Sequence, residues 1–227
     1  MKHLPAFFVL LVLPIVSSCG YGRKQGGIES GRIDYNITYL NEDLDKKTLE
    51  VLPRKMKLVF NDKEAVNNIE GFLGFYRLEA FTNFHTRKCS TLLKVFDKHY
   101  LFTGKKDEMM CCFDAMKGME IRETGETKQI AGLQCKKAHV ILPSSHSTFD
   151  IYYTGEIRLK HPNATNPYYM VEGVLMEFEL RLLYLNMRFT AEKFQPMADK
   201  SDESSVPENT RNISRDQMTE ILGRLME

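Results

Sequence analysis

The chain has 227 residues, a formal net charge of +1, and 43% hydrophobic and 27% charged residues. This composition is ordinary for a globular domain, and the near-zero charge excludes the basic footprint expected of a nucleic-acid-binding protein. Beyond the first apolar run, no stretch is long and apolar enough to predict a membrane-spanning helix.

The first eighteen residues predict a lipoprotein signal peptide. Lys2 and His3 give a basic start, and residues 6–15 are almost wholly apolar but too short to span a bilayer. Residues 16–19 (VSSC) then match the bacterial lipobox, in which the cysteine receives a diacylglycerol, the chain is cut before it, and its new amino group is acylated, for example with palmitate. We therefore expect lipid attachment at Cys19 and a location in the bacterial cell envelope, at the outer membrane and facing the periplasm. The alternative is an ordinary cleaved signal with an incidental cysteine.

Composition predicts how the rest of the chain is divided. Glycine-rich residues form a flexible tether, and an acidic, serine-rich stretch forms a linker near the end. The predicted parts are the signal peptide at 1–18, the tether at 19–31, a β-sheet domain at 32–195, the linker at 196–212, and a C-terminal helix at 213–227.

Alternation of apolar and polar residues predicts the strands of the sheet domain. A period of two is typical of a sheet with one buried and one wet face. The alternating stretches are residues 32–39, 55–60, 91–96, 99–102, 134–142 and 149–154, and most clearly 174–181 with 185–192, which predict a β-hairpin.

Three further stretches are harder to interpret. Residues 69–84 mix helical spacing with glycines and aromatic residues, and we interpret them as one long bent strand. Residues 104–107 predict a hairpin turn from which 108–113 returns as a strand, and residues 123–126 predict another turn.

The C-terminal stretch predicts a short amphipathic helix. Ser214 and Gln217 have capping-box spacing, and Ile213 with Met218 has the spacing of a hydrophobic staple. The apolar stripe of this helix must dock on another element, most simply on the sheet. The members of the stripe are Met218, Ile221, Leu222 and Leu225.

Roughly eight or more one-faced strands with few helices need a cover for their apolar face. A closed barrel, a sandwich, or a strongly curved sheet partly plugged by a helix would each provide one. The predicted fold class is mainly β: a strongly curved antiparallel sheet, or half-barrel, with a short C-terminal helix.

Three stretches occur in order: residues 128–138 (KQIAGLQCKKA), 151–157 (IYYTGEI) and 172–178 (EGVLMEF). Through them the chain, from about residue 31 to 194, resembles a family of uncharacterised bacterial envelope lipoproteins. The resemblance implies the half-barrel fold of the lipoprotein carriers LolA and LolB and an envelope location. No functional residue of those carriers can be aligned, so none is transferred, and a fold alone does not fix a function.

The cysteines other than Cys19 number four, which is even and suits an oxidising compartment. Cys111 and Cys112 would point to opposite faces of a strand, which disfavours a bond between them. We predict a Cys112–Cys135 disulfide, with Cys89–Cys111 as a weaker second. Free buried thiols at Cys112 and Cys135 are the alternative.

The leading functional hypothesis is a binding protein whose apolar concave face holds a lipid, acyl chain or other hydrophobic ligand. The alternative is a structural or assembly module that binds another envelope protein and no ligand. The membrane, reached through the N-terminal lipid, is the other expected partner. The predicted ligand-binding side chains are Tyr35, Ile37, Met56, Leu58, Tyr153, Met176, Phe178, Met187 and Phe189.

No catalytic residues, metal site or cofactor are predicted, and the chain is not expected to be an enzyme. Ser144, Ser145, His146 and Ser147 lie near Asp150, but without a G-x-S-x-G motif a solvated polar turn is the better interpretation. The histidines lack metal-ligand spacing, and no C-x-x-C pair is present.

Overall fold

A computed structural model describes residues 27–143, 145–197 and 206–226. Its main element is one sheet of twelve strands. The strands are β1 (Gly31–Tyr39), β2 (Lys55–Phe60), β3 (Glu64–Glu70), β4 (Tyr76–Asn83), β5 (Lys88–Val95), β6 (Lys98–Thr103), β7 (Glu120–Ile130), β8 (Leu133–Leu142), β9 (Ser147–Thr154), β10 (Val174–Leu182), β11 (Leu185–Pro196) and β12 (Thr210–Asn212). The helices are α1 (Lys46–Val51) and α2 (Arg215–Met226), with single 3-10 turns at Phe72–Gly74 and Asp114–Met116.

The sheet consists of two antiparallel meanders that meet where β1 pairs with β11. In space the strands follow the order β12-β6-β5-β4-β3-β2-β1-β11-β10-β9-β8-β7, and only the β12–β6 pair is parallel among the described strands. Because β6 and β7 lie near opposite edges, residues 104–119, which connect them, cross from one side of the sheet to the other. These residues are called here the crossing segment.

The sheet is curved, because strands far apart in this order line one cavity. Thr91 on β5 and Val174 on β10 are six strand spacings apart and both line it. In a flat sheet, six spacings of about 4.8 Å would separate them by roughly 29 Å. Residues 104–119, the β9–β10 connection and α2 partly fill the concave face. The predicted fold class, a curved and mainly antiparallel sheet with a short C-terminal helix, is confirmed.

β1 shows why this sequence forms a sheet with one buried face. Ile33, Tyr35 and Ile37 alternate with polar residues and are almost completely buried. β1 pairs along one edge with β11 and along the other with β2, so its backbone groups are satisfied on both sides. The β-branched residues suit a pleated, buried surface.

Buried apolar side chains form two cores. The large core is built mainly on β1, β2 and β8–β11, and it includes Ile33, Tyr35, Cys135, Ile151, Met176 and Phe189. The small core joins β5 and β6 to the crossing segment and α2, and its buried members are Cys89, Leu93, Phe102, Met110, Cys111, Cys112, Met218 and Leu222.

The predicted capping box of α2 is present. The backbone N–H of Gln217 donates to Ser214 Oγ (3.2 Å), and the backbone N–H of Ser214 donates to Gln217 Oε1 (2.9 Å). These reciprocal bonds satisfy backbone donors that a helix start leaves open. Met218 and Leu222 are buried in the small core, so the helix docks by its apolar stripe as expected.

Two element predictions are wrong in the region of β3 to β6. Residues 69–84 are not one bent strand: β3 ends at Glu70, and the chain reverses through a tight turn before β4 begins at Tyr76. Gly71 is required there, because a Cβ atom would lie 2.1 Å from the Tyr76 ring. Residues 108–113 do not return as a strand but belong to the crossing segment.

Two further differences concern turns and edges. Residues 123–126 do not form a turn but lie within β7, where the pairing with β8 shifts between Glu123 and Thr127. The reversal comes at Ala131 and Gly132, whose φ values of 49° and 82° suit a two-residue hairpin. Within the stretch interpreted as a linker, residues 210–212 form β12 against β6.

The predicted disulfides are not present. All four described cysteines are buried and free. Cys112 belongs to the small core and Cys135 to the large core, and Cys89 Sγ donates to the Glu108 carbonyl rather than bonding Cys111. The interpretation failed because it placed Cys111 and Cys112 on a strand, whereas they lie in a turn. Cys19 and the signal peptide lie outside the described residues.

Candidate ligand-binding site

The first cavity, called here the inner cavity, lies on the concave face and measures about 130 Å³. Side chains from both halves of the sheet line it, together with the crossing segment, the β9–β10 connection and α2. Lining residues include Tyr35, Leu58, Ala80, Thr91, Cys111, Tyr168, Val174, Phe178, Phe189 and Leu222. The inner cavity is therefore where the two cores meet.

The second cavity, the outer cavity, measures about 280 Å³ and lies toward one end of the sheet. The β1–β2 connection, the β3–β4 turn, the β10–β11 hairpin and α2 surround it. Lining residues include Ile37, Tyr39, Val51, Pro53, Phe72, Phe75, Leu185 and Leu225.

The two cavities share one wall. Five apolar side chains line both, and four of them stand on sheet strands while Leu222 projects from α2. No charged residue occurs among the described residues that line either cavity. The shared side chains are Ile69, Leu78, Leu182, Met187 and Leu222. The inner and outer cavities are thus neighbours, and flexible side chains such as Leu222 and Met187 lie between them.

Exposed apolar side chains gather at the end of the sheet that holds the outer cavity. Of eleven large exposed apolar residues in the described part of the chain, seven lie in the strand connections at this end or near the end of α2. The seven, called here the apolar rim, are Val51, Phe72, Leu73, Phe75, Phe96, Tyr184 and Leu225. A cluster of this kind is typical of a binding surface rather than of a plain solvated face.

Three aromatic rings of the rim pack against one another. The ring centroids of Phe75 and Phe96 are 5.5 Å apart, and those of Phe72 and Phe75 are 6.5 Å apart. Leu73, at the tip of the β3–β4 turn, is 78% exposed. Since Phe72 and Phe75 also line the outer cavity, the rim is continuous with the mouth of that cavity.

The two phenols at the inner cavity are hydrogen-bonded within the protein. Tyr35 Oη donates to the Leu175 carbonyl oxygen (2.7 Å), and Tyr168 Oη donates to the Glu179 carbonyl oxygen. Burial raises the pKa of both phenols far above the usual range, so both stay neutral. The inner cavity therefore offers an apolar surface without a charge to fix a polar ligand.

Most of the predicted ligand-binding side chains lie at the cavities. Two do not: Tyr153 donates from its hydroxyl to Glu123, and Met176 is fully buried in the large core. Met176 does not line a cavity, because the β10–β9 register shifts between Leu175 and Glu177 and this shift breaks the alternation of side chains along β10. Tyr35, Met56, Leu58, Phe178, Met187 and Phe189 line the inner cavity, and Ile37 and Met187 line the outer cavity.

The sequence did not predict the cavity-lining residues that lie outside the regular strands. The crossing segment supplies Met110 and Cys111, and the β3–β4 turn supplies Phe72 and Phe75. The apolar stripe of α2 was the available signal for Leu222, since that stripe had to dock on the sheet. Phe72 and Phe75 did recur at helical spacing, but that spacing indicated neither a turn nor a cavity.

The polar residues around Asp150 form ion pairs and hydrogen bonds with one another and with Arg181. Asp150 Oδ1 lies 2.9 Å from His139 Nδ1 and Asp150 Oδ2 lies 3.1 Å from Lys137 Nζ, and these partners lower the pKa of Asp150. Arg181 donates to the hydroxyls of Ser145 and Ser147. The described residues hold no group of three or more His, Cys, Asp or Glu side chains suited to a metal ion.

The described helices are all too short or too polar to cross a membrane. Neither a protein-family model nor a curated protein matches the chain. Among solved structures, the crystal structure of LprF from Mycobacterium bovis matches with 12% identity and a TM-score of 0.27, covering 79% of this chain and 90% of LprF. A TM-score this low carries no conclusion about function, so the resemblance to the half-barrel envelope lipoproteins stays a prediction.

Proposed function

We propose that this protein binds a hydrophobic ligand with a flexible hydrocarbon chain, such as a lipid or acyl chain, in the inner and outer cavities. The observation that carries the proposal is the pair of adjoining cavities without charged lining, which meet at Leu222 and open at the apolar rim. We further propose that the protein acts in the bacterial cell envelope, anchored through a lipid on Cys19, and that it binds without catalysis.

Cavity size favours a flexible chain over a rigid molecule. An apolar cavity of about 150 Å³ is dry and takes a ligand the size of benzene, and pockets for drug-sized ligands measure roughly 300–1,000 Å³. The inner cavity, about 130 Å³, is close in size to the benzene-binding cavity. The outer cavity, about 280 Å³, is slightly smaller than the pockets for drug-sized ligands. A chain that bends past Leu222 can use both.

The rim supplies an entrance. Its aromatic rings are solvent-exposed and continuous with the lining of the outer cavity. A hydrocarbon chain arriving there meets apolar surface at each step, and each methylene that it buries contributes about 0.8 kcal/mol. A polar head group would stay at the rim, where water can reach it.

Titration with cis-parinaric acid, a fatty acid that fluoresces in apolar surroundings, tests the proposal. We expect saturable binding to the full chain. Ala80→Phe adds a ring inside the inner cavity and should weaken binding by about tenfold or more, whereas Ala115→Phe adds the same ring at an exposed position and should not. Absence of saturable fluorescence with the unchanged chain would contradict ligand binding.

The entrance has its own test. The double variant Phe72→Ser with Phe75→Ser removes two rim rings and should slow the uptake of cis-parinaric acid. The control pair Tyr169→Ser with Met170→Ser removes two exposed apolar side chains in the β9–β10 connection, outside the rim. Equal uptake rates in both double variants would exclude the rim as the entrance.

The rim also favours the second candidate function, an assembly module that binds another envelope protein. An exposed apolar surface suits a protein partner as well as a lipid. If the protein is such a module, its cavities do not bind cis-parinaric acid, and neither the unchanged chain nor Ala80→Phe shows saturable fluorescence. The size of the cavities favours the ligand-binding function, because a module filled by its own side chains needs no empty space.

A further inference from the structure

Cys111 and Cys112 form an unusual pair of neighbouring thiols. They lie in a turn of the crossing segment, where Cys112 has a φ of 75°, in the left-handed region. Their sulfur atoms are 2.9 Å apart. Neighbouring side chains on a strand point to opposite faces, so it is this turn conformation that brings the two sulfurs together.

Two other elements hold the turn in place. The backbone N–H of Leu183, in the β10–β11 hairpin, donates to the Cys112 carbonyl oxygen (3.1 Å). From α2, the Arg215 guanidinium donates to the Met109 and Met110 carbonyl oxygens at 2.5 Å and 3.3 Å. The two sulfurs are thus held close by contacts outside the dipeptide.

The other two described thiols have hydrogen-bond partners of their own. Cys89 Sγ donates to the Glu108 carbonyl oxygen (3.4 Å), and Cys135 lies in the large core, where its Sγ donates to the Leu133 carbonyl oxygen (3.5 Å). The sulfur atoms of Cys111 and Cys112, in contrast, contact each other. A disulfide bond is about 2.05 Å long, so the sulfurs must approach by roughly 0.9 Å to bond.

We propose that Cys111 and Cys112 form a redox-active dithiol site that is reversibly oxidised to a disulfide between neighbouring residues by exchange with an external disulfide. The exchange does not require a bound ligand, although Cys111 also lines the inner cavity. Both thiols are buried, so the first step requires a local opening of the turn. In that step, the thiolate of Cys112 attacks the external disulfide, forms a mixed disulfide and releases one thiol after proton uptake. In the second, the thiolate of Cys111 attacks Cys112 Sγ and expels the second thiol. One external disulfide is reduced to two thiols as the protein dithiol loses two hydrogen atoms.

Cys112 is the better first nucleophile. Its hydrogen bond with Cys111, then the Thr219 hydroxyl and the Arg215 guanidinium, lower the pKa of Cys112. The partner shows the opposite effect: the hydrogen bond with Cys112 and burial raise the pKa of Cys111. The thiolate is the reactive species in disulfide exchange, so this asymmetry orders the two steps.

Peptide mapping of the full chain tests the proposal. Trypsin releases residues 107–117 (DEMMCCFDAMK), which contain both cysteines of the pair and no other, whereas Cys89 and Cys135 fall in separate peptides. The reduced chain is equilibrated in glutathione buffers with increasing oxidised fraction, alkylated, digested and analysed by mass spectrometry. We expect peptide 107–117 without alkylation and lighter by two hydrogen atoms, and we expect dithiothreitol to restore the doubly alkylated form.

The variants make the test specific. Cys111→Ser and Cys112→Ser should each abolish the lighter peptide, whereas Cys89→Ser and Cys135→Ser should leave it unchanged. The peptide mapping of the unchanged chain gives a result even if a variant does not fold. The proposal is overturned if peptide 107–117 stays doubly alkylated in oxidised glutathione, or if its cysteines appear in peptides cross-linked to Cys89 or Cys135.

Discussion

The large and small cores are built in different ways. The large core comes from neighbouring strands whose apolar residues alternate, and its aromatic rings pack in defined geometry: Phe178 and Phe189 stack at a centroid distance of 5.0 Å and an angle of 7°. The small core joins a strand pair to two distant segments, the crossing segment and α2. Regular strand pairing holds the first, whereas caps and side-chain contacts hold the second.

This difference explains where the empty space lies. Close packing is simplest when strand register fixes each side chain against its neighbour. Where a crossing segment and a helix meet the sheet, no shared register fixes the fit, and the inner and outer cavities lie at that boundary. We therefore expect the large core to set global stability and the small core to set ligand access.

The largest expected effect comes from the large core. Phe189→Ala removes a fully buried ring that stacks on Phe178, and it should lower the free energy of unfolding by about 3–5 kcal/mol. Denaturant unfolding measures the loss. The control Phe96→Ala removes a ring that is 66% exposed and should cost less than about 1 kcal/mol. Equal losses in the two variants would contradict the expectation that the large core sets global stability.

A smaller loss is expected at the boundary. Leu222→Ala truncates a buried side chain that already borders both cavities, and it should cost about 2 kcal/mol, near the low end for leucine. Because the truncation shortens one of the five side chains that line both cavities and so widens the passage between them, cis-parinaric acid should bind more tightly. Leu225→Ala, on the same helix but lining the outer cavity alone, is the control. Weaker binding by Leu222→Ala would show that this side chain holds the ligand rather than separating the cavities.

The capping box of α2 gives a local effect. Ser214→Ala removes the acceptor of the Gln217 N–H bond and should cost about 1 kcal/mol. We expect faster amide hydrogen exchange in α2 and unchanged exchange in β1 and β11. Gln217→Glu keeps an acceptor for the Ser214 N–H and should preserve protection. Faster exchange across the whole sheet would mean that the two cores unfold as one unit.

The smallest effect is expected on the wet face of β8 and β9. The hydrogen bond with His139, and then Lys137, lower the pKa of Asp150, so these contacts stabilise the fold above the unfolded pKa of about 4 and lose their effect as pH falls through the folded pKa. Both side chains of the His139–Asp150 pair are 41% exposed, so solvent screens the interaction. Asp150→Asn should cost about 0.2–1 kcal/mol at neutral pH and nothing near pH 2. A loss that persists at low pH would point to another cause.

The sequence predicts the large core well because alternation is a local signal. Ile33 and Tyr35 repeat with the period of a half-buried strand, and the structure buries both on β1. Six of the nine predicted ligand-binding side chains line the inner cavity for the same reason. Met176 does not line the inner cavity, because the register shift next to it depends on the neighbouring strand β9. The local sequence pattern cannot show such a shift.

The small core was harder to predict because its contacts are distant in sequence. Cys112 and Thr219 meet at 3.5 Å across 107 residues, and nothing near either residue indicates the other. The positive φ of Cys112 depends on contacts from α2 and the β10–β11 hairpin. For that reason the cysteine pattern suggested pairs that the structure does not form.

Native mass spectrometry of the membrane-extracted chain tests whether the two cavities hold a ligand. We predict a native mass that exceeds the denatured mass by a releasable lipid, an excess that Ala115→Phe retains and Ala80→Phe loses. The denatured mass, measured in the same experiment, should show acylation at Cys19. Identical native and denatured masses, even after incubation with excess fatty acid, would contradict ligand binding in the two cavities.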